Sequence, residues 1–311
     1  MLCIICILLV FLFIFIRLYD ISYNSVNNNT ENKKELLCII SVKNYDDNLI
    51  NIINKSTILG IIINIDNLDI NSLSVIIKNI KIKTKRKILI GIDQDYKSTY
   101  GIYYNKNFKV YASYIGERKS EEYAYKIAYE RALKLKSIGI NMILSPICNI
   151  YCNEKSHLKE HIFSNDTILA SALIYQTVKA YKDAGIIAAL KYFPKYYDDE
   201  LYIADENIKN TESIIDNTET FSAGIKADAD IIVMSHIKNH NIYRDFLIKN
   251  MKFKGIIMTD YINNDKNIIN YAVNMLSGSY YKDLNNLKKI IENKKTDAEV
   301  CSKVLKLIKK L

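Results

Sequence analysis

The sequence predicts an α/β fold, a TIM-like (β/α) barrel in one large domain, and three observations point to it. From Leu36 onward, short apolar runs alternate with longer amphipathic ones. The apolar runs are continuous and rich in β-branched residues, as in parallel strands buried on both faces. Polar and reactive residues close those runs, at the strand ends where a barrel assembles its active site. No Gly-rich phosphate loop follows any run, which argues against a dinucleotide-binding sheet.

Seven strands follow in order: "LLCIISV" (36–42), "LGIIINI" (59–65), "KILIGID" (87–93), "INMILSPI" (140–147), "IIAALKYF" (186–193), "ADIIVMSHI" (229–237) and "GIIMTD" (255–260). Helical segments lie between them. The clearest is "SEEYAYKIAYERALKLKSIG" (120–139), opened by a Ser cap and closed by Gly139. "NDTILASALIYQTVKAYKDAG" (165–185), closed by Gly185, is the second. Seven β-then-α units in series make a barrel or a doubly wound sheet. The eighth strand is expected to be weak or missing: after "KNIINYAVNMLSG" only "SYYKDL" precedes a terminal helix.

Ahead of the barrel, the chain is apolar from Leu2 to Ile16 and then meets Arg17. As a helix this run reaches roughly 22 Å, short of a ~30 Å hydrocarbon layer unless Leu18 and Tyr19 extend it. No basic n-region or small-x-small cleavage site is visible. Residues 1–19 therefore read as a signal anchor or signal peptide, with an uncleaved anchor favoured. Residues 20–35, Asn-rich and without period, read as a polar tether to the barrel at 36–311. A membrane partner through residues 2–19 and a place at the cell envelope follow. The signal-like start favours the extracytoplasmic side, although Arg17, Lys33 and Lys34 after the run argue for the opposite orientation.

The net charge of +9 raises nucleic acid as a partner, but the lysines are scattered and no basic stripe is interleaved with stacking aromatics. Nucleic-acid binding is not expected. Heavy use of Ile, Asn, Lys and Tyr, with no Trp and two Pro, fits AT-rich codons and inflates both charge and Tyr count. The six cysteines are dispersed, and Cys148 and Cys152 have no second pair or His cluster at zinc spacing. No metal and no cofactor are expected, and the chain is expected to be a monomer.

The strand ends carry Asp93, Asn149, Lys191, His236 and Asp260. In the stretch "LKYFPKYYDDE" a buried run opens into a lysine, aromatics and acids, as active-site strands do. At these ends the chain resembles the family 3 glycoside hydrolases, in particular their single-domain β-N-acetylglucosaminidase branch. "IGIDQDY" is similar to that family's "VDQEGG", "LSPICNI" to "APVLDV", and "KDAGIIAALKYFPKYY" to "AGVxxxxKHFPGHG". "DIIVMSHI" is similar to "DxIMxAHI", and "FKGIIMTDYI" to "GFxGVIxSDDL". The likeness covers roughly Leu36 to the C-terminus in the right order.

The resemblance implies roles. Asp260 matches the catalytic nucleophile, Lys191 and Asp93 match ligands of sugar hydroxyls, and His236 matches an active-site histidine. A retaining glycosidase needs one carboxylate to attack the anomeric carbon and a second acid to protonate the leaving oxygen. The departures bear on that second acid. Tyr192 and Tyr196 stand where the family has histidines, and Lys195 and Tyr197 where it has glycines. The loop that carries the family's Asp-His acid/base pair reads "DDELYIADENIK" and has no histidine. Its acids read first as a solvated loop, yet Asp199 or Asp205 could replace the missing acid, since a carboxylate moved into a closed apolar site gains a raised pKa. His161 aligns with the family's substrate-gripping arginine, and Asn149 with an aspartate.

The expected function is thus retaining β-N-acetylglucosaminidase chemistry on a glycan or amino-sugar ligand, with weak activity. The alternative is a catalytically inactive carbohydrate-binding or structural barrel. A third reading, an unrelated aldolase or lyase, would use Lys191 as a Schiff base.

Overall fold

Apolar strands of two to seven residues, too short for helices and buried on both sides, form the inner wall. A computed structural model describes residues 36–64, 69–93, 111–150, 159–195, 218–235 and 240–311. The strands are β1 (Cys38–Val42), β2 (Gly60–Ile63), β3 (Leu89–Ile92), β4 (Met142–Ile143), β5 (Ile187–Phe193), β6 (Ile231–Met234), β7 (Ile256–Ile262) and β8 (Val273–Leu276). Each pairs in parallel with the next, and β8 pairs with β1, so the barrel is closed. The helices are α1 (Asp47–Lys55), α2 (Ile70–Lys83), α3 (Ala112–Arg118), α4 (Glu121–Ser137), α5 (Thr167–Asp183), α6 (Thr218–Lys226), α7 (His240–Asp245), α8 (Gly278–Tyr281), α9 (Leu284–Asn293) and α10 (Ala298–Lys309).

The predicted helix signals act as expected. Ser120 caps α4 by accepting from Tyr123 N at 3.1 Å, and Asp166 caps α5 by accepting from Ile168 N at 2.9 Å. Gly139 and Gly185 follow these helices with φ of 98° and 73°, a backbone that L side chains disfavour and glycine takes freely.

The eighth strand corrects the sequence reading. It is present, and it lies inside the segment passed over, at Val273–Leu276. "SYYKDL" instead contributes to the short α8. Four residues give no legible period, and the strand is secured from its sides. The buried Asn274 side chain accepts from Ile269 N at 2.9 Å and donates to Ile269 O and Ala272 O.

Strand alternation sorts the core into two layers. Ile39, Leu89, Met142, Ile187, Ala189, Val233, Met258 and Met275 fill the barrel interior, and Val300, Val304 and Leu307 of α10 close it from below. Residues of opposite parity, such as Ile40, Ile90, Leu190 and Ile232, meet the surrounding helices. The expected anchor (1–19), the tether (20–35), His236, Asp199 and Asp205 lie outside the described residues. Among the described residues no helix is long and apolar enough to cross a membrane.

Cys38, on the helix side of β1, is fully buried, and burial pushes its thiol up to about 12 from an ordinary 9.0, against the smaller opposing effect of Arg86. Burial also raises the Cys148 thiol. The folded chain therefore holds protons that the unfolded chain gives up near pH 9. The stability that Cys38 confers is complete below that pH and is lost as pH rises toward 12, by up to about 1.4 kcal/mol per pH unit, and Cys148 acts in the same direction. Urea midpoints should fall steadily above pH 9, with a shallower fall in Cys38→Ala. A midpoint unchanged up to pH 11 would contradict this account.

Candidate active site

The mouth of the barrel follows from the same alternation. Continuing each inward-facing register by one step leads from Ile39 to Ser41, from Ile62 to Asn64, from Gly91 to Asp93, from Ala189 to Lys191 and from Met258 to Asp260. Apolar interior layers thus give way to polar side chains at the C-terminal ends of five strands, the position at which barrels carry their chemistry.

Ser41, Asn64, Asp93 and Lys191 are linked to one another through Tyr261. Lys191 is fully buried, and its Nζ donates to Asp93 Oδ1 at 2.5 Å. The Tyr261 hydroxyl donates to Asp93 Oδ2 at 3.3 Å and accepts from Asn64 Nδ2 at 2.9 Å. Asn64 Nδ2 also donates to Ser41 Oγ at 2.8 Å. Burial pushes the Tyr261 hydroxyl far above its ordinary range, and the neighbouring Asp93 charge adds to this. Tyr261 is consequently a neutral donor throughout the working pH range. Asp260 also contributes to the field at this hydroxyl, and its Oδ1 accepts from Tyr261 N at 2.8 Å.

Sequence reasoning missed Tyr261. On a regular strand, neighbours of Asp260 would face the helices. The pairing of β7 with β8 shifts register between Met258 and Tyr261, and that irregularity lets Tyr261 pack against the inner cluster. A matching shift on β5, between Leu190 and Phe193, brings Tyr192 inward as well, with Lys191 Nζ 5.0 Å from its ring centre. The only legible signal was the pairing of adjacent polar residues, Lys191-Tyr192 and Asp260-Tyr261, at the ends of apolar runs.

Asn149, noted as a departure from the family pattern, has a structural reason. Its side chain donates to Tyr192 O at 3.0 Å and accepts from Tyr192 N at 3.0 Å. The backbone of Lys191 is gripped on the same side, donating to Pro146 O at 3.1 Å and accepting from Cys148 N at 2.6 Å. An amide satisfies both demands of Tyr192, whereas a carboxylate only accepts and would face the Tyr192 carbonyl. Asn149→Asp should therefore lower stability by about 1–3 kcal/mol, the cost of a buried group left unsatisfied. Urea denaturation reads this directly, and an unchanged midpoint would show that the amide is not required.

Of the expected site residues, Asp93 and Lys191 are bonded directly, and Asp260 stands on β7 next to Tyr261, which bonds Asp93. His161 is half-buried in the segment ahead of α5, beside Glu160, whose carbonyl accepts from Ser113 N. His236, Asp199 and Asp205 fall outside the described residues. Among the described residues no cluster of His, Cys, Asp or Glu is placed to hold a metal ion.

An eight-stranded parallel barrel with carboxylates and an ammonium at its C-terminal mouth defines a TIM-barrel protein. A model of the glycosyl hydrolase family 3 N terminal domain matches residues 29–308, and the chain belongs to that family. The resemblance read from its motifs is thereby borne out. Beta-hexosaminidase A of Pseudoalteromonas piscicida is 27% identical over 123 residues, 37% of this chain and 20% of that protein. A family 3 β-N-acetylglucosaminidase from Paenibacillus shares the fold with a TM-score of 0.70 at 16% identity, over 88% of this chain and 60% of that one. NagZ from Neisseria gonorrhoeae, in complex with N-trifluoroacetyl-D-glucosamine, does so with a TM-score of 0.68 at 11% identity, over 86% and 89%. The match to the first relative thus spans a fifth of its length.

Proposed function

We propose that this barrel binds a β-linked N-acetylglucosamine-type sugar at its mouth and cleaves it as a retaining glycosidase, with Asp260 as nucleophile. What supports the reading is the position of Asp260 on β7 next to Tyr261, whose hydroxyl bonds Asp93 of the buried Lys191–Asp93 pair. A carboxylate held by a backbone N–H at a barrel mouth is positioned to attack an anomeric carbon, while a fixed ammonium and carboxylate orient the sugar hydroxyls. The acetamido-sugar specificity rests on the hexosaminidase relative and on the amino-sugar complex of the structural neighbour. Family motifs assign His236, and less directly His161, to further sugar contacts. The N-terminal apolar run would hold the barrel at the cell envelope. No cofactor enters this chemistry.

Acid assistance is the weak step. Both Asp93 oxygens accept, from the Lys191 ammonium and the Tyr261 hydroxyl, so Asp93 is not arranged to deliver a proton. The proton would come from Asp199 or Asp205. General acid assistance is worth about 10²–10⁴-fold, so dinitrophenyl or fluoride glycosides should react far faster than glycosides with poor leaving groups. A steep dependence of rate on leaving group, with Asp199→Asn or Asp205→Asn slowing only the poor ones, is the expected result. The second reading, a sugar-binding barrel without turnover, is favoured by Tyr192 at a family histidine position. It stands if activated glycosides are untouched while N-acetylglucosamine raises the melting temperature.

A further inference from the structure

Read along the chain the lysines are scattered, but the barrel gathers a set of them at one end. Every barrel helix runs antiparallel to its strand, so helix C-termini and the loops entering strands share the face opposite the proposed active site. Lys55, Lys136 and Lys226, in the last turns of α1, α4 and α6, reach that face, where the helix dipole favours cations. Lys252, just past the end of the helical turn Phe246–Asn250, and Lys254 sit in the loop ahead of β7 and are exposed. Together with Lys303, Lys306 and Lys310 of the C-terminal segment, they line a groove of about 400 Å³ whose floor includes Phe253, Ile256 and Leu307.

The acids in this groove are already engaged. Lys182 pairs with Asp228 at 3.1 Å and with Asp230 at 2.9 Å, Lys310 lies 3.7 Å from Asp230, and Lys303 pairs with Glu299 at 2.9 Å. Lys252, Lys254 and Lys306 have no acidic partner among the described residues. Three unneutralised ammonium groups on one exposed rim form a surface that attracts phosphate-bearing partners.

We propose that this rim docks on an anionic phospholipid surface, so that the barrel rests on the membrane with its sugar site facing away. Two further observations select lipid over a soluble polyanion. The chain enters the fold at this same end: Leu36 N donates to Ile291 O and Leu37 N to Thr296 Oγ1. The apolar run of residues 2–16 and its polar continuation therefore join the barrel on the lysine side. In addition, Phe253 is buried, and no exposed aromatic lines the groove to stack on bases. Each lysine near an anionic leaflet adds attraction that decays within a Debye length, so the contact is salt-sensitive.

Lysine acetylation footprinting of the full-length protein tests this. On vesicles containing about 30% phosphatidylglycerol in phosphatidylcholine, at roughly 0.1 M salt, acetylation of Lys252, Lys254, Lys306 and Lys310 should slow several-fold relative to pure phosphatidylcholine. Lys266, exposed beyond the C-terminal end of β7, should react equally on both. The shielding should vanish at about 0.5 M salt. In the Lys252→Gln/Lys254→Gln/Lys306→Gln variant, Lys310 should lose its salt-sensitive shielding. These are exposed positions, so the fold is retained. Equal acetylation on both vesicle types would overturn the proposal. So would shielding by a soluble RNA oligomer as strong as that by the anionic vesicles.

Discussion

Replacing Lys191 with methionine should lower the stability of the barrel by about 3 kcal/mol, at the lower end of the cost of breaking a buried ion pair. The side chains of Lys191 and Asp93 are 1% and 18% exposed, so removing the ammonium leaves a carboxylate with little water to solvate it. The cost stays at the lower end because Tyr261 still donates to Asp93 Oδ2. Replacing both partners, as Lys191→Met with Asp93→Leu, should recover most of the loss, since an apolar pair of similar volume is often as stable as a buried ion pair. Urea denaturation of the two single variants and the double variant closes this cycle. A single-variant loss below about 1 kcal/mol would place the pair among weak surface contacts and remove the rigid platform that the proposed sugar site requires.

The larger effect is on chemistry. Asp260→Ala should reduce hydrolysis of an activated N-acetylglucosaminide by at least roughly 10³-fold, because removing a nucleophile removes the covalent route. Azide should partly restore the reaction by attacking the vacated face, expelling the leaving group and forming the α-glycosyl azide from a β-glycoside. Stability should change less than activity, since Asp260 is only half-buried. Lys191→Met and Asp260→Ala thus separate two roles at the barrel mouth.

Much of this architecture was legible because buried parallel strands are written as continuous apolar runs. β1, β2, β3, β5 and β6 fall within runs visible in the sequence, and β7 begins in its run and continues two residues past it, to Ile262. β4 is only Met142–Ile143, shorter than its apolar run, since Pro146 lacks a backbone N–H to continue the ladder. β8 was hidden because its four residues lack period and depend on Asn274, whose bonds are tertiary. Asp93, Lys191 and Asp260 were legible as strand ends. Tyr261 was not, because only the register shift against β8 turns it inward. Asn149 was read as a loss when compared with a catalytic motif, whereas its paired bonds to Tyr192 make it a support for the Lys191 segment.

The most direct test of Asp260 as nucleophile is mass spectrometry of the protein quenched during reaction with a dinitrophenyl N-acetylglucosaminide. The predicted result is a glycosyl adduct on the peptide containing Asp260, absent in Asp260→Ala. An adduct on a different residue, or no adduct while the dinitrophenolate is still released, would contradict the account.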